Sequence, residues 1–153
     1  MGQQQLLLVI LVTILVGIAT VVAINVFGES AEQANADAVR QDLLAAASQA
    51  QAIYAKPAQL GGAGGDFATM DEGVLLQQLR IPGSRATRDL SDTDDTQVNF
   101  VENENGIYTI DVDTDALTII GEPSTYRSDI TLVVTWVDDT RSWTIDITET
   151  SAF

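Results

Sequence analysis

The sequence predicts an α+β protein in which one long N-terminal helix, apolar in its first half and amphipathic in its second, packs on a small antiparallel β-sheet head. Three observations carry this. No residue before Glu29 is charged, so all 22 acidic and seven basic side chains fall in the rest of the 153-residue chain. Helical spacing of apolar residues then continues past the uncharged stretch as far as Tyr54. From Gln97 onward the pattern changes to strand-like alternation punctuated by turn residues. A mean hydropathy of +0.14 beside a net charge of −15 expresses the same segregation, because a chain mixing its residues evenly at that charge would be hydrophilic. The length suits one domain, and the organisation reads as an apolar helix half over 1–28, an amphipathic helix half over 29–56 and a head over 57–153.

The first half runs LLLVILVTILVGIATVVAI from Leu6 to Ile24. That is long enough to span a bilayer. Its fourteen Leu, Ile and Val residues favour insertion by about 4 to 8 kcal/mol before the small polar terms. A cleaved signal peptide would instead have a basic start and an apolar core of about 7 to 15 residues. Here the start is Met1-Gly2-Gln3-Gln4-Gln5 and the apolar run is longer, so membrane insertion is the better reading. Glu29, Glu32 and Asp37 mark the downstream flank as the exported side.

The second half, Ser30 to Tyr54, is Ala-rich and free of Gly and Pro. Val39, Leu43, Ala46 or Ala47, Ala50 and Ile53 recur at spacings of three and four, with Asp37, Arg40, Gln41, Ser48 and Gln51 on the other side. Lys56-Pro57 ends the helix, because proline disfavours helical geometry in the residue before it. Gly28-Glu29-Ser30 leaves a break open, since Ser30 and Gln33 have capping-box spacing.

Beyond Pro57, Gly61-Gly62-Ala63-Gly64-Gly65 is a loop; it lacks the Lys and Ser or Thr of a phosphate-binding loop. A short helix is expected over Met70 to Leu79, capped through Thr69 and Glu72, and Ser84 to Thr96 reads as a polar surface loop. Strands are expected over 97–102, 107–112, 116–121, 130–137 and 142–148, with Asn105-Gly106 as a tight turn between the first two. Tyr108, Ile110 and Val112, then Ile130, Leu132, Val134 and Trp136, then Trp143, Ile145 and Ile147 each share one side of a strand. These sides are expected to pack on Val39, Leu43, Ala50 and Ile53.

Composition narrows the chemistry. Without His or Cys the usual zinc sites and the Ser-His-Asp and Cys-His catalytic arrangements are unavailable, and no carboxylate pair is marked as a buried acid in a cleft, so no enzyme is expected. Six Arg and one Lys against 22 carboxylates exclude a nucleic-acid partner. Asp outnumbers Glu 15 to 7, a surface that suits high salt, where screening is strong. No cofactor is expected. The one calcium candidate is Asp111, Asp113, Asp115 and Glu122, at positions 1, 3, 5 and 12 of a calcium loop, though Ala116 stands where that loop has glycine. Asp92, Asp94 and Asp95 form a second acidic cluster, read as a solvated loop.

An apolar helix starting almost at the first residue, prolonged as an Ala-rich amphipathic helix and followed by a strand-rich head, resembles the layout of type IV pilins and pseudopilins. The resemblance is specific over about Gly2 to Tyr54. It implies a structural subunit of an extracellular pilus-like filament, inserted in the inner membrane before assembly and polymerising with copies of itself through its N-terminal helix. The implied core comprises Leu6, Leu7, Leu8, Ile10, Leu11, Ile14, Leu15, Gly17, Ile18, Ala19, Val22 and Ala23. Val39, Leu43, Ala50 and Ile53 would attach the head. The resemblance further implies pilus assembly machinery as a partner and a prepilin peptidase cutting between Gly2 and Gln3. Counted from Gln3, Leu7 occupies the fifth position, where the family usually has glutamate. The alternative reading is a single-pass, non-polymerising membrane-anchored acidic ectodomain acting as an adhesin or binding module.

Overall fold

The computed structural model describes residues 2–89 and 97–151, in two units of which the first ends at Ala34 and the second begins at Asn35. Helix α1, Gly2–Ala55, supplies all of the first unit and the opening element of the second. The break left open at Gly28-Glu29-Ser30 does not occur. Ser30 Oγ donates to the carbonyl of Val26 at 2.8 Å, bonding back into the preceding turn instead of capping a new helix.

In the second unit, α1 is followed by two single-turn 3-10 helices, Ala58–Leu60 and Phe67–Thr69, then α2, Glu72–Gln78. Six strands complete it: β1 Ser84–Asp89, β2 Gln97–Glu102, β3 Gly106–Val112, β4 Ala116–Pro123, β5 Ser128–Val137 and β6 Ser142–Ser151. They form one sheet in chain order, every neighbouring pair antiparallel, so each connection is a hairpin.

One face of this sheet is dry. Ala36, Val39, Leu43, Ala46, Ala47, Ala50, Ile53 and Tyr54 form the buried stripe of α1 at the expected spacing of three and four. Facing them, Val101, Tyr108, Ile110, Leu117, Ile119, Ile130, Leu132 and Val134 are buried on alternate positions of β2 to β5. Helix and sheet approach so closely at Gly121 that a Cβ there would lie 2.6 Å from Val39 Cγ1. Leu75, Leu76 and Leu79 of α2 and its C-terminal end, with Phe67 and Ile81, extend the same core.

The glycine loop has a structural duty. Amides of Ala63, Gly64 and Gly65 donate to the carbonyls of Ile53, Lys56 and Tyr54, satisfying acceptors that the end of α1 would otherwise leave open. Such a tight return excludes side chains: a Cβ on Gly62 would fall 2.2 Å from the Lys56 oxygen.

Four expectations are corrected. The segment Ser84–Asp89 is a strand, not a loop: it pairs with β2 from Ser84↔Glu102 to Asp89↔Gln97. Its sequence SRATRD has no apolar alternation, so the pairing rests on backbone bonds that periodicity does not reveal. The short helix begins at Glu72 and is capped by Asp71, whose carboxylate accepts from the Val74 amide at 3.1 Å, while Thr69 closes the preceding 3-10 turn. Ile145 is 43% exposed although its register partner Val134 is buried, because β6 is an edge strand at the margin of the helix cover. Strands β3 to β6 also run one to three residues beyond their expected ends.

Because Leu43 sits fully buried between α1 and the sheet, Leu43→Ala should cost about 2 to 5 kcal/mol. Thr118→Ala, on the half-buried opposite face, should stay within about 0.5 kcal/mol. Thermal melts of the detergent-solubilised chain followed by fluorescence of Trp136 and Trp143 would compare the two.

Candidate assembly surface

The first unit is helical throughout its described residues, and its apolar side chains are exposed. Leu6, Leu7, Leu8, Ile10, Leu11, Ile14, Leu15, Ile18 and Val22 are each 50% exposed or more, and Phe27 reaches 75%. Thr13 Oγ1 and Thr20 Oγ1 donate to the carbonyls of Ile10 and Val16, each at 2.8 Å. The only hydroxyls in the apolar run are thereby satisfied within the helix, as a low-dielectric setting requires. Gly17, Ala19 and Ala23 interrupt the bulky surface with small residues, and a Cβ on Gly17 would meet nothing within 4 Å. This is the one helix long and apolar enough to cross a membrane among the described residues, by length and composition. Gly2 and Gln3, the expected processing pair, are exposed residues at the start of α1.

In the second unit the expected attachment residues are placed together. Val39, Leu43, Ala50 and Ile53 all lie in the buried stripe. Sequence reasoning missed the polar groups bordering them. Asp42 Oδ2 accepts from Tyr108 Oη at 2.7 Å, from Asn105 Nδ2 at 3.0 Å and from Asn103 Nδ2 at 3.2 Å, tying α1 to the β2–β3 turn. Burial, then the Asp42 carboxylate, pushes the Tyr108 phenol up, so it stays a donor. Asn35 donates to the Asn105 carbonyl and accepts from the amide and hydroxyl of Thr125. Asn35 and Asp42 are seven residues apart, two helical turns along the margin of the stripe; that spacing was their only trace in the sequence.

At the other margin Arg40 pairs with Asp37 and with Glu149 of β6. Its hydrogen bond holds the Glu149 carboxyl below its ordinary value, aided by Tyr126 Oη, which donates to the same carboxylate at 3.1 Å. At the C-terminal end of α1, Tyr54 packs 5.0 Å from both Phe67 and Trp143, and Trp143 packs edge-on to Trp136 at 5.2 Å. Trp136 Nε1 donates to Asp138 at 2.7 Å and Tyr54 Oη to Asp115 at 3.0 Å. These rings touch one another, closing the end of the core.

The calcium candidates are not brought to one place. Asp111 is opposite Thr118 and Glu122 opposite Ile107, four ladder positions and about 13 Å apart. Asp115 is engaged by Tyr54, Asp113 accepts from the Thr114 amide, and Asp111 lies near Glu72, whose carboxyl is raised by burial first and then by Asp111 and Asp71. Among the described residues no three or more acidic side chains are grouped to hold a metal ion. Asp92, Asp94 and Asp95 lie outside the described residues.

No family model, curated protein or solved structure matches the chain.

Tyr54 supplies a pH test. Its phenol is pushed from 10.0 up to about 12, by burial first and then by its bond to Asp115. A raised folded-state pKa gives stability that is present below the unfolded value and lost as pH rises through the folded one. The melting temperature should therefore fall between about pH 10 and 12. Tyr54→Phe should flatten that fall, checked by paired alkaline melts.

Proposed function

We propose that this chain is the structural subunit of an extracellular type IV pilus-like filament, held in the membrane by Leu6 to Ile24 before assembly and polymerised through that segment afterwards. The observation that supports it is the fully uncovered apolar segment of α1, in a helix whose later residues are built into the head's core. Fourteen large aliphatic side chains at about 1.5 kcal/mol or more each amount to on the order of 20 kcal/mol of unfavourable exposure to water. A typical fold has only about 5 to 15 kcal/mol of net stability. Water is therefore not the resting environment of this segment.

A bilayer and a bundle of identical helices both answer that need. Moving from one to the other exchanges lipid contacts for packing contacts, with no charge to desolvate before Glu29. Gly17, Ala19 and Ala23 provide positions at which neighbouring backbones approach. An anchor alone needs only the apolar segment. The later residues of α1, buried as a stripe in the head, favour the subunit reading, because a mere anchor has no need to give its helix to the head's core.

Negative-stain microscopy of surface material should show thin filaments containing this chain. Deletion of Leu6 to Ile24 should abolish them and release the head from membranes; filaments formed by the deleted chain would sink the reading, and filament-free membranes bearing the intact chain would favour the anchored ectodomain. Gly17→Leu offers a narrower test. Nothing in the isolated helix opposes a side chain there, and Leu favours insertion. Membrane recovery should hold while filament yield falls, and normal yield would show that Gly17 lies outside close helix contacts.

A further inference from the structure

Among the described residues the head's sheet is open at both ends, β1 and β6 each having one neighbour only. No described strand takes up the backbone donors and acceptors of their outer edges, which form a template for another strand. Natural edge strands are blunted by Pro, charged side chains, a bulge or shortness. β6 carries Asp146 and Glu149 but no Pro or bulge: SWTIDITETS is ten residues long, and its ladder with β5 runs in unbroken register from Ser128↔Ser151 to Val137↔Ser142. Typical strands have about five or six residues.

The two edges differ in sign. In a chain of net charge −15, the β1 sequence SRATRD alone among the described strands has a net positive charge, with two Arg and one Asp. The β6 sequence carries Asp146 and Glu149 and no basic residue. Arg85 is exposed on β1 and lies on the helix-side face, as do Ile145 and Glu149 of β6, whereas Asp146 is exposed on the other face.

Strand parity adds a geometric condition. In an antiparallel sheet of six strands in chain order, β1 and β6 run in opposite directions. A second copy in the same orientation, placed beside the first, therefore sets its β1 antiparallel to the first copy's β6. The alternation continues across the junction. An odd number of strands would have made that junction parallel. Pairing β6 with β6 antiparallel would need copies of opposite polarity and would set two acidic strands against each other.

We infer that the β6 edge of one copy pairs antiparallel with the β1 edge of the next, extending the sheet from head to head. The contact joins two different surfaces, so a dimer still offers a free β1 and a free β6, and further copies can add. It is separate from the helix core invoked above and rests only on copies sharing one orientation, as they do in one membrane or one polar filament.

The chain has no cysteine, which allows a clean cross-linking test on the full-length protein in membranes and in sheared surface material. Ala86 on β1 and Thr144 and Thr148 on β6 are the probe positions; register with β2 and β5 puts all three on the sheet face opposite the helix. Within one chain, β1 and β6 are five strand spacings apart, about 24 Å, too far for a disulfide. Across a strand junction the Cα separation of about 4.5 to 5.5 Å is suitable.

Oxidation of Ala86→Cys/Thr144→Cys or Ala86→Cys/Thr148→Cys should give a ladder of dimers, trimers and higher species on non-reducing gels. Two single variants mixed should give dimers only, and each alone should give none. The two probe pairs sample registers four residues apart, and either can stand in for the other if one variant fails to fold. Adding Arg85→Glu should lower the cross-linked fraction severalfold, and Arg85→Lys should preserve it. Absence of a ladder from both pairs, dimers from a single β6 cysteine, or a yield indifferent to Arg85→Glu would each overturn the inference. Microscopy of the same samples keeps the two ideas apart: filaments without a ladder reject edge pairing alone, and a ladder without filaments rejects the filament alone.

Discussion

A meander of six strands with one apolar face needs a second layer to cover it, and in this head the cover is the stripe from Ala36 to Tyr54 of α1, extended by α2. The rest of the second unit follows from that seat. Small side chains at Ala46, Ala47 and Ala50, with Gly121 across from Val39, let helix and sheet approach closely. A chain without disulfides gains its core this way, since removing the helix would expose Leu117, Ile119, Ile130, Leu132 and Val134 together. At roughly 1.5 to 3 kcal/mol for each, that loss would match or exceed the net stability of an ordinary domain.

Apolar contact is non-directional and would permit the helix to slide. The polar groups at its margins remove that freedom. Asp42 receives three donors from the region of the β2–β3 turn, and Asn35 meets Asn105 and Thr125 at the neighbouring turns. On the β6 side Arg40 reaches Glu149. This last pair is partly exposed and is discounted as a source of stability, but it aims the edge strand. Together these contacts assign one helix register to the dry face.

Charge acts on a longer scale. With carboxylates outnumbering cations about three to one, any two heads brought close together repel unless salt screens them, over a range of about 8 Å at physiological ionic strength. Attraction must then come from elements that are locally neutral or opposite in sign. The uncharged helix before Glu29 is one, and the basic β1 strand, in its proposed pairing with an acidic β6 of a second copy, is another.

What the sequence determined by itself was set by periodicity. The uncharged run, the stripe Val39, Leu43, Ala50 and Ile53, and the alternation of strands β2 to β6 all reflect burial repeating at 3.6 or 2 residues, and burial is written locally as residue type. The capping of α2 by Asp71 rather than Thr69 was a near miss, because two candidate caps stood close together and only the path of the preceding 3-10 turn chose between them. Strand β1 could not be found in that way: SRATRD has no apolar face, and its conformation is imposed by the backbone of β2. Likewise Asp42, Asn35 and Tyr54 carry no sign of their partners, which lie some 60 to 90 residues away. Asp111, Asp113, Asp115 and Glu122 are close in sequence, yet the hairpin that joins them sets Glu122 four ladder positions from Asp111. Hydrophobic pattern is local and survives in one dimension, whereas hydrogen-bond partners and edge pairing are fixed only when the chain returns on itself in three.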